Sequence, residues 1–162
     1  MRCNNDATME IPQTCHPDTV AIHEYWISKC AGRTMPARAD LDPVEMPRHL
    51  LRGICIVDVV EDERRYVYRL VGTGDVEVRG NDPTGKAVAE GFFGPSADDA
   101  LRCYDSVVET RAPLLDPIPF TAPNGKWINE ETIFLPLSDD GEKVNKILVF
   151  SYCRDTARYS EI

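Results

Sequence analysis

The residues of this chain best equipped for chemistry are scattered. GNDPTGKA at 80–87 comes within one residue of a phosphate-cradling loop, with Gly80, Gly85 and Lys86 correctly spaced. The next position is Ala87, where a serine or threonine would have to hold magnesium, and Pro83 stands inside the loop, so a plain turn explains the string better. Gly72-Thr73-Gly74 opens like a dinucleotide fingerprint, but Glu77 occupies the place of its third glycine. His16 and His23 stand two helical turns apart, too far to share a metal, and His49 lies on another segment. No two of the six cysteines are spaced C-x-x-C. That leaves Glu130 and Glu131, which a strand would point to opposite faces. An inward carboxylate needs a partner, and the simplest reading is that both are solvated.

Such residues need elements to hold them. From Arg65 to Lys86 the chain reads RYVYRLVGTGDVEVRGNDPTGK, a strand running into short helical turns with glycine punctuation. Simple alternation puts Tyr66, Tyr68 and Leu70 on one face, and Val67, Arg69 and Val71 on the other. ICIVDVV (54–60) reads as a central strand, and Glu61-Asp62-Glu63 as the turn between the two.

Upstream, His16-Pro17-Asp18 reads as a helix start. The stripe Val20, Ile22, His23, Trp26, Ile27 and Cys30 follows, and Gly32 stops it. Asp42-Pro43 predicts a cap and a short helix over 43–51. Downstream, 95–110 is an amphipathic helix capped by Ser96, with Leu101, Tyr104 and Val108 on its apolar side. Three strands, 114–121, 126–137 and 144–153, form a meander. The spacing therefore predicts an α+β fold. Its core is one five-stranded antiparallel sheet with the helices of the crossover gathered on one face, preceded by an N-terminal helix. We divide it into an arm at 1–16, a helical segment at 17–52, a sheet domain at 53–155 and a tail at 156–162.

At 162 residues the chain suits a single domain, and 43% apolar content argues against wholesale disorder. The net charge of -9 disfavours binding to nucleic acid or to anionic membrane, which requires a surplus of cations. No apolar run is long enough to span a bilayer, and the first residues carry no signal-peptide core. A cytoplasmic protein with reduced thiols is expected.

Four strings, EYWISKC (24–30), MPARADLDPVEMPRHL (35–50), YRLVGTGDVEVRGNDPTGK (68–86) and ILVFSYC (147–153), resemble the PAS superfamily. The likeness is closest to a bacterial, alphaproteobacterial-type group of single-domain PAS proteins. It spans roughly residues 20–153 and implies a sensory or interaction role without catalytic machinery. Carried onto this chain, the ligand wall would draw on Tyr66, Tyr68 and Leu70, on Leu101, Tyr104 and Val108, and on Phe134, Leu148 and Phe150. Flavin-binding members carry a cysteine in an Asn-Cys-Arg-Phe string on the crossover, where this chain has RGNDPTGK. Haem-binding members usually offer a histidine on or beside the long helix, and 95–110 has none. No cofactor is therefore assigned.

The expected function is a non-catalytic sensor that binds a small apolar ligand or a regulatory protein, signals to a partner in trans, and forms homodimers through its N-terminal helix. The competing readings are a small α+β enzyme using Glu130 or Glu131 with Tyr104, and a scaffolding protein with a filled core.

Overall fold

The computed structural model describes residues 15–94, 96–121 and 127–153, by backbone alone at 117–121, 127–130 and 153. Helix α1 runs Pro17–Cys30. The His16 imidazole caps it by accepting from the Asp18 amide at 3.1 Å, Pro17 occupies the first turn, and Asp18 complements the positive helix end. Ala31, in the left-handed region at φ 50°, closes it one residue before the expected glycine.

The helix expected over 43–51 is broken in two. A 3₁₀ turn at Pro43–Glu45 is capped by the Asp42 carboxylate, which accepts from the Val44 amide at 2.9 Å. A single helical turn, α2, follows at Arg48–Leu51. Pro47 causes the break: it forces the preceding residue out of the helical region, and Met46 is extended at φ -92°, ψ 143°.

Strands β1 (Ile54–Val59) and β2 (Tyr66–Val71) form a hairpin. The crossover carries α3 (Thr73–Arg79), α4 (Val88–Gly91) and α5 (Ala97–Thr110), the last capped by Ser96 as expected. Strands β3 (Leu114–Thr121), β4 (Trp127–Leu137) and β5 (Lys146–Cys153) complete one antiparallel sheet in the order β2-β1-β5-β4-β3.

Both faces of this sheet are covered. The crossover helices pack on the inner face, where Tyr104 of α5 meets Phe134 of β4 edge-on at 5.1 Å. The opposite, outer face carries α1 and the segment after it. There Trp26 donates its indole N–H to the Pro136 carbonyl at 2.9 Å, and the Ser138 amide bonds the Pro36 carbonyl at 2.9 Å. Alternation explains why one layer of helices is not enough. Ile133, Leu135 and Leu137 of β4 are fully buried on the side away from Phe134, and an apolar face of that size needs a second cover. Sealing Ile22 and Trp26 against it contributes about 1.5–3 kcal/mol for each side chain.

At the β2–α3 junction the chain passes so close to β1 that only glycine fits. The Gly72 amide bonds the Ile54 carbonyl at 2.8 Å, and a Cβ at this position would overlap the Arg52 carbonyl.

Candidate functional site

The sequence assigns the ligand wall to one face; the structure divides it between two. Tyr66, Tyr68, Tyr104 and Phe134 lie together on the inner face and are 2–4% exposed. The rings of Tyr66 and Tyr104 stack at 5.0 Å. Leu101 and Val108 of α5 are half-buried against the same core. Leu70, Leu148 and Phe150 belong to the outer face instead.

The reason for Leu70 is a β-bulge. Val57 pairs with Tyr68 but Ile56 pairs with Leu70, so Arg69 is an extra residue and the alternation reverses after it. Leu70 is left 45% exposed beside Ile56. For β5 the apolar run ILVFSYC holds two interleaved sets. Val149 pairs with Phe134 and is inner, whereas Leu148 pairs with Leu135 and Phe150 with Ile133, both outer.

The inner face is nearly filled. Between sheet and crossover a void of about 50 Å³ remains, bounded by Tyr68, Arg79, Phe92, Tyr104, Phe134 and Val149. The Arg79 side chain, 9% exposed, pairs with Asp75 at 2.8 Å, donates to the Gly91 carbonyl at 2.8 Å and lies over the Tyr68 ring at 4.9 Å. The Cys55 thiol donates to the same Asp75 carboxylate at 3.1 Å. Burial opposes the charge of Arg79, but Asp75 and Tyr68 outweigh it and hold the guanidinium protonated. Burial raises the pKa of Tyr104 and Tyr68, and burial together with Asp75 raises that of Cys55. Burial and a hydrogen bond to Asp116 push Cys103 up to about 12. These phenols and thiols stay protonated at neutral pH and offer no ready nucleophile.

Glu131 is the functional-looking residue that the sequence misread. It is 7% exposed rather than solvated, and faces outward beneath α1. Its carboxylate accepts from the His16 amide at 3.1 Å and from the Thr19 hydroxyl, and so pins the start of α1 to β4. Tyr104 stands on the opposite face, so the two are not brought together. The Glu130 side chain and Trp127 lie outside the described side chains. Among the described residues no cluster could hold a metal ion.

Two adjoining clefts open on the outer face. One, of about 360 Å³, is apolar and runs between the segment after α1 and the β1–β2 hairpin, lined by Leu41, Met46, Ile54, Ile56, Leu70 and Leu148. The other, of about 600 Å³, lies across α2 and carries Arg48, His49 and Arg52 above Phe150 and Tyr152. No signal in the sequence pointed to them, because the lining comes from four separated segments.

The chain matches the PAS domain family over residues 14–150. It belongs to the PAS domain family. Solved structures similar to this PAS domain include a LOV protein of Rhodobacter sphaeroides, at 13% identity over 67% of this chain and 62% of that one, TM-score 0.50. A fungal LOV domain photoreceptor matches at 13% identity over 85% and 94%, TM-score 0.50. A sensory box sensor histidine kinase from Vibrio cholerae matches at 21% identity over 62% and 79%, TM-score 0.49. No curated protein matches. PAS domains are sensory and signalling modules, and this one shares their α+β fold. A flavin-sized group does not fit on its crossover face, since Tyr68, Tyr104 and Phe134 leave only about 50 Å³, against the several hundred that ligand pockets provide. Among the described residues no helix is long and apolar enough to cross a membrane.

Proposed function

We propose that this PAS domain is a non-catalytic cytoplasmic sensor of the bacterial single-domain type, that its cue is a small, largely apolar molecule received on the outer face of the sheet, and that it signals to a regulatory protein in trans. One observation carries the reading: the inner void holds about 50 Å³, while the outer apolar cleft offers about 360 Å³. Leu70 and Leu148 remain in the ligand set, now as walls of that cleft, and Phe150 as the floor of its neighbour. Tyr66, Tyr68, Leu101, Tyr104, Val108 and Phe134 become the packed support behind them.

The cleft is roofed by the segment joining α1 to β1. Among the described residues that roof is held by polar anchors that a ligand could break one by one: Arg33 with Asp40, Lys29 with Glu45, Tyr25 with the Asp42 backbone and Glu45, and Ser138 with Pro36. A ligand that favours a raised roof over a closed one shifts the balance between them by its difference in affinity. The changed surface would be read by the partner. A second copy of the chain is a further proposed partner, docking at α1, where Tyr25 and Ile27 are partly exposed.

Native and denaturing mass spectrometry of the purified protein tests the site. A mass carried natively, lost on denaturation and weakened by Leu70→Asp is the expected result. Retention in Leu70→Asp with loss in Phe134→Leu would move the site to the crossover face.

A further inference from the structure

The two outer clefts adjoin and differ in chemistry. Arg52 and Thr73 line both of them, at the point where α2 hands over to β1. α2 divides the remainder by its own periodicity. Leu50 points into the core, Leu51 lines the apolar cleft, and Arg48 and His49 line the other. In the larger cleft Arg52 is paired with Glu77 at 3.0 Å, and His49 meets Asp18 at 3.1 Å. Arg48 makes no ion pair and no hydrogen bond among the described residues. In a chain of net charge -9, the cleft beside the apolar groove thus sets Arg52 and His49 against the carboxylates of Glu77 and Asp18, and leaves the Arg48 guanidinium without a carboxylate partner among the described residues.

We propose, building on the cleft reading above, that the ligand is a single-chain amphiphile, with its hydrocarbon tail among Leu41, Ile56, Leu70 and Leu148 and its carboxylate head on Arg48. The planar guanidinium fork matches a carboxylate in two parallel hydrogen bonds. An uncharged tail alone would leave Arg48 unused. A cationic head would be repelled by Arg48, the one guanidinium of that cleft with no carboxylate partner among the described residues. Apolar size sets affinity, and Arg48 sets which head group is accepted.

The test compares decanoate, decanol and decyltrimethylammonium by isothermal titration calorimetry on the full chain, below micelle-forming concentrations and without vesicles. Decanoate is expected to bind about tenfold more tightly than decanol, and more tightly than the cationic analogue. Each methylene between octanoate and decanoate should add about three- to fourfold in affinity. In Arg48→Ala the tenfold preference disappears while decanol binding holds. In Leu70→Asp both weaken, with circular dichroism showing that the fold is kept. Equal binding of decanoate and decanol would overturn the carboxylate assignment and leave the groove intact. Decanol that fails to bind, or that binds unchanged in Leu70→Asp, would overturn the groove itself. Binding of lysophospholipid but not decanoate would overturn the carboxylate in favour of a phosphate head.

Discussion

Truncating Phe134 to alanine probes how tightly the inner face is packed. Phe134 is 4% exposed and meets Tyr104 edge-on at 5.1 Å. Removing a buried phenylalanine side chain costs about 3–5 kcal/mol, through lost burial and the cavity left behind. The aromatic pair accounts for about 0.5–1.5 kcal/mol of this. The neighbours cannot collapse far, because Tyr104 is held by Tyr66 and Tyr68 by Arg79. The existing void of about 50 Å³ gives a little room to relax. The expected loss is therefore about 4 kcal/mol, read by urea denaturation at constant m-value, or a fall in Tm of roughly 8–16 °C. Phe134→Leu, which keeps most of the volume, should lose only about 1–1.5 kcal/mol. Benzene should raise the Tm of Phe134→Ala and leave the wild type unchanged, because only the variant has a dry hole to fill. A loss below about 1 kcal/mol for Phe134→Ala would refute the reasoning, since a face that tolerates such truncation already has slack for a ligand.

Glu131→Ala removes the acceptor of the His16 amide and the Thr19 hydroxyl, and should cost about 2–3 kcal/mol, with hydrogen exchange accelerating first across α1; uniform acceleration would count against a local latch. His23 is buried with its Nε2 unpartnered among the described residues and its pKa lowered by burial, against a smaller opposing pull from Glu24. The unfolded chain then takes up the proton first as pH falls through the ordinary histidine range near 6.5, so stability should decline below that value and His23→Gln should flatten the decline in acid denaturation curves. Gly72→Ala drives a methyl group into backbone carbonyls of Arg52 and Ile54 and should cost about 2–3 kcal/mol in chemical denaturation, whereas Gly91→Ala, whose added methyl group comes no closer than 3.0 Å to its neighbours, should cost less.

Much of the architecture could be read directly. Caps at His16, Asp42 and Ser96, the Pro17 start and the strand-turn-strand pattern around Glu61 are local signals, and local signals survive folding. Pro47 was legible too, but the Asp42-Pro43 cap suggested a longer helix than that second proline permits. What escaped depended on pairing. The bulge at Arg69 reverses the faces of β2 without any residue that announces it, since neither glycine nor proline is present. In β5, ILVFSYC is apolar on both sides, so period two cannot say which set looks inward. Glu131 resembled a solvated strand end because its partners, His16 and Thr19, come from the other end of the chain. For the same reason the tyrosines of the inner face were found as a group, while the outer clefts were not: their walls are assembled from segments that meet only in the fold.

Methyl-resolved NMR during titration with decanoate tests most directly where the cue is received. On the outer-face reading, the methyl signals of Ile54, Ile56, Leu70 and Leu148 shift together with the Arg48 side chain, while Ala100 and Val149 beside the inner void stay in place. Shifts centred on Ala100 and Val149, with Leu70 and Leu148 unmoved, would contradict it.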